Sequence, residues 1–293
     1  MKVFLTGASG FVGQEIGKRL AAAGHEVRCL IHNSAQLPTQ FQAVQGDILD
    51  KNSLVSAMQG CDAVVHLVGI IREAPQKGAT FQRIHVEGTK NMVDAAREVG
   101  ISRFLQMSAL GARPGATSPY HQTKWDAEEY VRGSGLEWTV FRPSVIFGPG
   151  DGFVSLLADV LKRAPLFPIF GHGQFPLSPV ALIDVAEGFV RALAKPETVG
   201  QAYEVGGPEA ISYRDVIACI GQVVGKKRVR TFTAPIPLVR PVVSLLEGFS
   251  FFPITSAMLT MLVEGNACDS ARFAADFELT LTPFRTGISY VNG

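Results

Sequence analysis

Residues 2–13, Lys2-Val3-Phe4-Leu5-Thr6-Gly7-Ala8-Ser9-Gly10-Phe11-Val12-Gly13, carry an apolar run, a glycine turn and the start of an amphipathic stretch. The run does not alternate with polar residues, as expected of a strand buried on both faces, and Val12, Ile16 and Leu20 then repeat with the period of a helix. Each glycine has a physical use at its position. Gly7 permits a tight turn, Gly10 lets the backbone approach a bound group, and Gly13 lets the helix pack close to the sheet. A strand-to-helix turn of this kind aims backbone N–H groups and the positive end of the helix dipole at one point, which suits a diphosphate. Gly7, Gly10 and Gly13, with Ser9, Phe11 and Val12 between and beside them, are therefore the candidate dinucleotide cradle.

Outward from this turn the same rhythm continues. The runs VRCLI, FQAVQG, AVVHLV, RFLQMS and WTVFRPS alternate with helical patterns over 11–23, 53–58, 80–99 and 120–131, and Gly24 and Gly100 stand where helices should stop. This predicts an α/β protein with a Rossmann-type doubly wound parallel sheet and a smaller, partly interleaved C-terminal lobe. Residues 1–149 form the expected NAD(P)-binding domain, joined by 180–206, where the late strand-like run QAYEVGG could return to the main sheet. Residues 150–179 and 207–293, interrupted by prolines, form the expected substrate or docking lobe.

A chain of 293 residues can bury a full core, and 27 basic against 26 acidic residues leave a formal charge of +1, too small for a field that attracts nucleic acid. Cys29, Cys61, Cys219 and Cys268 contain no C-x-x-C pair and read as reduced thiols. The six histidines show no metal-ligand spacing, so no metal site is expected. The first residues enter a strand at once, without the apolar region of a signal peptide, so a cytoplasmic location is expected.

The stretch 245–263, with Phe249, Phe251, Phe252, Leu259 and Leu262, is unusually apolar but is interrupted by Pro253 and too short to span a bilayer. It reads as buried core or, more sharply, as a surface that docks on a membrane-bound partner or the bilayer interface, which would make the location peripheral. The aromatics Phe147, Phe153, Phe167, Phe170 and Phe175 read first as core and second as an apolar substrate pocket.

At the end of the second strand, Ile31-His32-Asn33 stands where NAD-preferring folds carry a carboxylate for the adenosine ribose. A 2′-phosphate would meet no repulsion there, and Arg28 or His32 could assist it, so NADP(H) is favoured over NAD(H); the alternative is that both are ordinary surface groups. Asp47, followed by Ile48 in GDIL, either accepts from the adenine amino group or caps the next helix. Tyr120 and Lys124, four residues apart, share a helix face, where the ammonium should lower the phenol's pKa from about 10. Ser108 ends the fifth strand and could hydrogen-bond a substrate carbonyl or alcohol, completing an acid/base set for hydride chemistry.

TGASGFVG, GDILD, VVHLVG, HVEGTKNMVDAA, the set Ser108, Tyr120 and Lys124, FRPSVIFGPGDGF, PVALIDVAEGFVRAL and AYEVGGPEAIS occur in this order over nearly the whole chain. The sequence thereby resembles the extended and atypical short-chain dehydrogenase/reductases, which include NAD(P)-dependent epimerases and dehydratases. MSALGA with RPSVIFGPGDGF most resembles the branch of the nucleotide-binding accessory subunit of respiratory complex I. The resemblance implies that Ser108 polarises the substrate, Tyr120 moves the proton, and Lys124 holds the nicotinamide ribose. It also implies that His66, Leu67, Val68 and Gly69, with Pro143, Ser144 and Val145, flank the nicotinamide. One departure is His85, where extended members usually carry Asn before V-x-G-T.

Two functions are therefore expected in competition. One is an oxidoreductase or epimerase taking a dinucleotide and a small carbonyl or alcohol substrate. The other is a nucleotide-braced accessory or assembly protein. Oligomeric state is left open by the sequence.

Overall fold

The computed structural model describes residues 1–32, 38–249, 252 and 254–292; Asn33, Phe251 and Pro253, which enter the sequence readings above, lie outside them. The chain divides into two compact units, 1–143 with 182–204 and 272–279, and 144–181 with 205–271 and 280–293.

The first unit is built on strands β1 (Lys2–Thr6), β2 (Glu26–Ile31), β3 (Gln42–Gln45), β4 (Ala63–His66), β5 (Arg103–Met107) and β6 (Glu137–Pro143). With the late strand Gln201–Val205 they form a seven-stranded sheet in the order Gln201–Val205, β6, β5, β4, β1, β2, β3. The pairs from β6 through β3 are all parallel, with Thr6 opposite His66 and His66 opposite Gln106. Helices α1 (Phe11–Ala22), α2 (Lys51–Met58), α3 (Gly88–Glu98) and α4 (Pro119–Arg132) supply the crossovers. The Rossmann-type expectation is thus met, and the order reverses between β1 and β4, the switch point where such sheets hold ligands.

Burial explains why the strands read as unbroken apolar runs. Val3, Phe4, Leu5, Val64, Val65, Phe104 and Leu105 are all fully buried. One face packs Phe4, Val64 and Phe104 with Leu54, Met58, Met92 and Val93 of α2 and α3. The segment Arg272–Leu279 also belongs to this unit, a difference from the sequence reading, which leaves it in the smaller lobe. Its reason is aromatic: Phe273 and Phe277 lie 6.3 and 5.5 Å from Phe141 of β6, ring centre to ring centre, and both are buried.

Among the described residues the second unit holds three two-stranded pairings, one of them Phe167–Phe170 parallel to Thr231–Ala234, and helices that include Val154–Arg163, Tyr213–Val223 and Ile236–Leu246. Its core contains Phe147, Phe167 and Phe175, with Phe153 and Phe170 packed against it. Those five aromatics are core. The run after residue 244 divides: Leu259 is buried, whereas Leu245 and Phe249 are 76 % and 53 % exposed.

Candidate active site

The glycine turn is held by its own backbone. Gly7 adopts φ +74°, where a side chain is strained, and its carbonyl accepts from Gly10 N at 3.0 Å. A Cβ on Gly13 would stand 2.0 Å from Gly7 O, so only glycine lets α1 start this close to β1. Gly10 caps α1 without a side-chain hydrogen bond, and the first turn contains no acidic residue. Ser9 and Gly10 are exposed, and Phe11 and Val12 half-buried, so the N–H end of α1 is open to an anion.

At the adenosine side, His32 is exposed and its Nδ1 lies 3.6 Å from Asp47 Oδ2. Asp47 Oδ1 accepts from Leu49 N at 2.9 Å, while the cap of α2 is Asp50, which accepts from Asn52 N. Asp47 is therefore not the helix cap, and one of its oxygens faces only His32 among the contacts described. Ile48 is buried against Gly88 and its carbonyl accepts from Asn91 Nδ2 at 3.0 Å. Arg28, the other candidate here, has partners within the protein. Its Nη1 donates to the carbonyls of Ala57 and Gln59 at the C-terminal end of α2, at 3.1 and 2.7 Å, and its Nε donates to Gln42. These are the orphan carbonyls and negative dipole end of a helix, and they hold the guanidinium there.

Beyond β4 and β5 the reacting-end residues converge around Lys124. A Cβ on Gly69 would stand 2.6 Å from Lys124 Nζ and 3.5 Å from His85 Nε2, so both side chains lie directly against that glycine. Lys124 Nζ also donates to Met107 O at 3.4 Å, and Ser108 follows Met107 in the chain. Ser108 is 3 % exposed and its Oγ has no hydrogen-bond partner among the described residues, a costly state unless something else supplies one. Leu67 is buried and Val68 half-buried, and the backbone from Leu67 to Val68 lies 3.4–3.5 Å from where a Cβ on Gly7 would sit. Pro143 O accepts from Leu110 N at 2.9 Å in the first unit. Ser144 and Val145 belong to the second unit, where Ser144 Oγ donates to Asn266 O at 2.7 Å.

Three histidines build the wall behind these groups. The π-helical turn Gln82–Glu87 carries His85, whose Nδ1 meets Thr123 Oγ1 at 2.9 Å and whose Nε2 meets the backbone of Ile70 at 3.1 Å. Its ring stacks on Phe81 at 5.3 Å, and the Tyr120 ring meets it edge-on at 5.3 Å. His121 packs under Gly111 and beside Tyr120. His66 bridges Thr6 Oγ1 at 2.9 Å and Thr89 Oγ1 at 3.2 Å, which makes it a positioning group inside the sheet. Sequence reasoning missed Thr6, Thr89 and Thr123. Thr89 follows His85 by one helical turn and was legible as a neighbour, but its bond to His66 comes from the sheet.

The charges are tuned mainly by burial. It lowers His66 to about 3 and His85 to about 2, and the Lys124 ammonium adds to both shifts. Lys124 itself is lowered to about 8 by burial, against the opposing pull of Glu128. Tyr120 is raised to about 12 by burial alone. This differs from the expectation that Lys124 depresses the phenol: desolvation of the phenolate raises it instead. The residues fit a dinucleotide. An open helix end and glycine turn suit the pyrophosphate, and a buried ammonium and an unpartnered hydroxyl stand at the end of β5.

A family model described as NAD(P)H-binding matches residues 7–164. The chain is 26 % identical over 260 residues to the mitochondrial NADH-ubiquinone oxidoreductase 40 kDa subunit of Neurospora crassa, covering 86 % of this chain and 67 % of that protein. It is 30 % identical over 233 residues to the (4-alkanoyl-5-oxo-2,5-dihydrofuran-3-yl)methyl phosphate reductase of Streptomyces griseus, covering 76 % of this chain and 74 % of that one. The crystal structure of UDP-glucose 4-epimerase from Thermotoga maritima superposes with a TM-score of 0.80 at 17 % identity, covering 100 % of this chain and 97 % of that one.

Proposed function

The chain belongs to the NAD(P)H-binding family, and from that premise we propose that it is an oxidoreductase or epimerase acting on a carbonyl or secondary alcohol through Ser108, Tyr120 and Lys124. The observation that carries this reading is Ser108 Oγ, buried at the end of β5 without a hydrogen-bond partner among the described residues. When bound, the nicotinamide supplies or accepts the hydride. Ser108 holds the substrate oxygen by a hydrogen bond. Tyr120, protonated up to about pH 12, donates its proton to that oxygen as the carbonyl carbon is reduced, leaving a phenolate that recovers a proton from solvent. Lys124, still mostly charged at neutral pH, would hold the ribose of the nicotinamide end. In the oxidative direction the same proton travels in reverse.

NADP(H) is the dinucleotide we favour, because His32 rather than a carboxylate directly follows β2. With Arg28 committed to α2, this preference rests on the missing carboxylate and on His32. Titration with NADPH and NADH tests it: tighter binding of NADPH is expected, and equal affinities would remove the preference.

A second reading has its own support in the Neurospora relative and in His85. In it the protein is an accessory or assembly factor docked on a membrane-bound partner, with the dinucleotide as a brace. Tyr120→Phe separates the two. If this variant binds NADPH as the parent does and loses turnover of a substrate found in a carbonyl panel, the enzyme reading stands. If the parent turns over nothing in that panel, the accessory reading takes its place.

A further inference from the structure

The second unit carries an apolar face and a run of positive charge that the nucleotide chemistry does not use. On helix Ile236–Leu246, Leu238, Val242 and Leu245 follow at i, i+4 and i+7 and therefore share one face. They are 69 %, 52 % and 76 % exposed, while Val243 on another side is buried. Phe232 and Phe249 extend the exposed apolar surface at 48 % and 53 %. Between strand Thr231–Ala234 and this helix runs a groove of about 390 Å³, lined by Pro168, Phe170, Phe232, Leu238, Val242 and Ile254 among others.

Charge makes the face specific. From residue 216 to residue 246 the chain contains Lys226, Lys227, Arg228, Arg230 and Arg240 and no acidic residue. Lys227, Arg228, Arg230 and Arg240 are exposed. The acids that bracket the run are engaged: Asp215 accepts from Ser212 Oγ, and Glu247 from Ser256 N. Arg214, Lys226, Lys227 and Arg228 line a second cleft of about 280 Å³, and this basic cleft meets the apolar groove at one strand, since Thr231 borders the first and Phe232 the second.

An apolar stripe on a short helix beside clustered basic side chains is the composition of a surface that lies in a bilayer interface: the aliphatic groups enter the acyl boundary and the cations remain among anionic headgroups. Among the described residues no helix is long and apolar enough to cross a membrane, which agrees with lying on one. We propose that the second unit binds peripherally to anionic phospholipid bilayers, with Leu238, Val242 and Leu245 inserted and Lys227, Arg228 and Arg230 against the phosphates. A protein partner selected by an apolar helix face alone would not need the exposed cations Lys227, Arg228, Arg230 and Arg240 within a stretch that has no acidic residue.

The test is flotation of the full chain with vesicles of phosphatidylcholine alone and of phosphatidylcholine mixed with phosphatidylglycerol. Binding is expected to the mixed vesicles and to weaken with salt. Lys227→Gln/Arg228→Gln/Arg230→Gln should weaken it on the order of a hundredfold, and Leu238→Ser/Leu245→Ser by about tenfold or more. Both sets lie on exposed positions, and an unchanged NADPH-induced thermal shift in each variant verifies that the chain is folded. Three results would overturn the proposal: no flotation of the parent, equal flotation with both vesicle types, or flotation indifferent to both variants. Light scattering adds a fourth: a dimer that Leu238→Ser/Leu245→Ser converts to monomer, without vesicle binding by the parent, would assign this face to a second copy of the chain.

Discussion

Acidification to about pH 5 will cost the folded chain a large share of its stability through two imidazoles. His66 and His85 are each 1 % exposed and engaged as neutral groups, His66 between two threonine hydroxyls and His85 between Thr123 and the Ile70 backbone. Unfolded, each titrates near 6.5; folded, burial holds them at about 3 and about 2. Between those values the unfolded chain binds protons that the fold excludes, so the stabilising contribution is complete well above 6.5 and is lost as pH falls. Going from about pH 7 to about pH 5 costs about 2 kcal/mol per imidazole and about 4 kcal/mol for both, against a total of about 5–15 kcal/mol for a typical domain. Glu187 and Glu278 contribute little change within this window. Glu187 and Glu278, hydrogen-bonded to Arg191 and Lys195, are held below the ordinary carboxylate value and titrate lower still. Urea unfolding followed by tryptophan fluorescence reads the first unit directly, since Trp125 lies on α4 and Trp138 on β6. His66→Gln and His85→Gln should each remove about 2 kcal/mol of the pH dependence, whatever they do to stability at neutral pH. An unfolding midpoint that does not move between the two pH values, or one that moves as before in the double variant, would refute the reasoning.

Gly13→Ala places a Cβ 2.0 Å from Gly7 O and should abolish the NADPH-induced thermal shift while lowering the melting temperature. Ser108→Ala removes a buried hydroxyl that has no hydrogen-bond partner among the described residues, so stability should hold or rise, while kcat/KM for a substrate found in the carbonyl panel should fall at least about tenfold. Glu128 is fully buried and accepts from Arg142 Nε at 2.9 and 3.1 Å, so Glu128→Gln should destabilise by about 3–5 kcal/mol in urea unfolding, leaving a cation poorly matched.

Much of the fold is written locally. The glycine turn, the unbroken apolar strands and the helical stretches from Phe11, Lys51, Gly88 and Pro119 follow from spacing that a reader can follow residue by residue. What escapes is decided by partners distant in sequence. Arg28 looks like a free cation until the end of α2 is placed against it, 29 to 31 residues on. The i, i+4 pairing of Tyr120 and Lys124 is legible, but the phenol's pKa depends on how deeply Phe81 and His85 bury it, which spacing does not encode. Phe273 and Phe277 lie more than a hundred residues beyond Phe141 in sequence, with nothing local to mark their destination.

That last feature bears on how the protein is made. Because the nucleotide-binding unit takes its aromatic backing from residues 272–279, a nascent chain emerging from the ribosome cannot finish this unit after its first half, and Phe141 must wait for the tail. Attempts to express residues 1–143 as a stand-alone nucleotide module should therefore yield aggregating or chaperone-bound material, whereas a circular permutant that fuses the late segments upstream of Met1 would let the unit close early in translation.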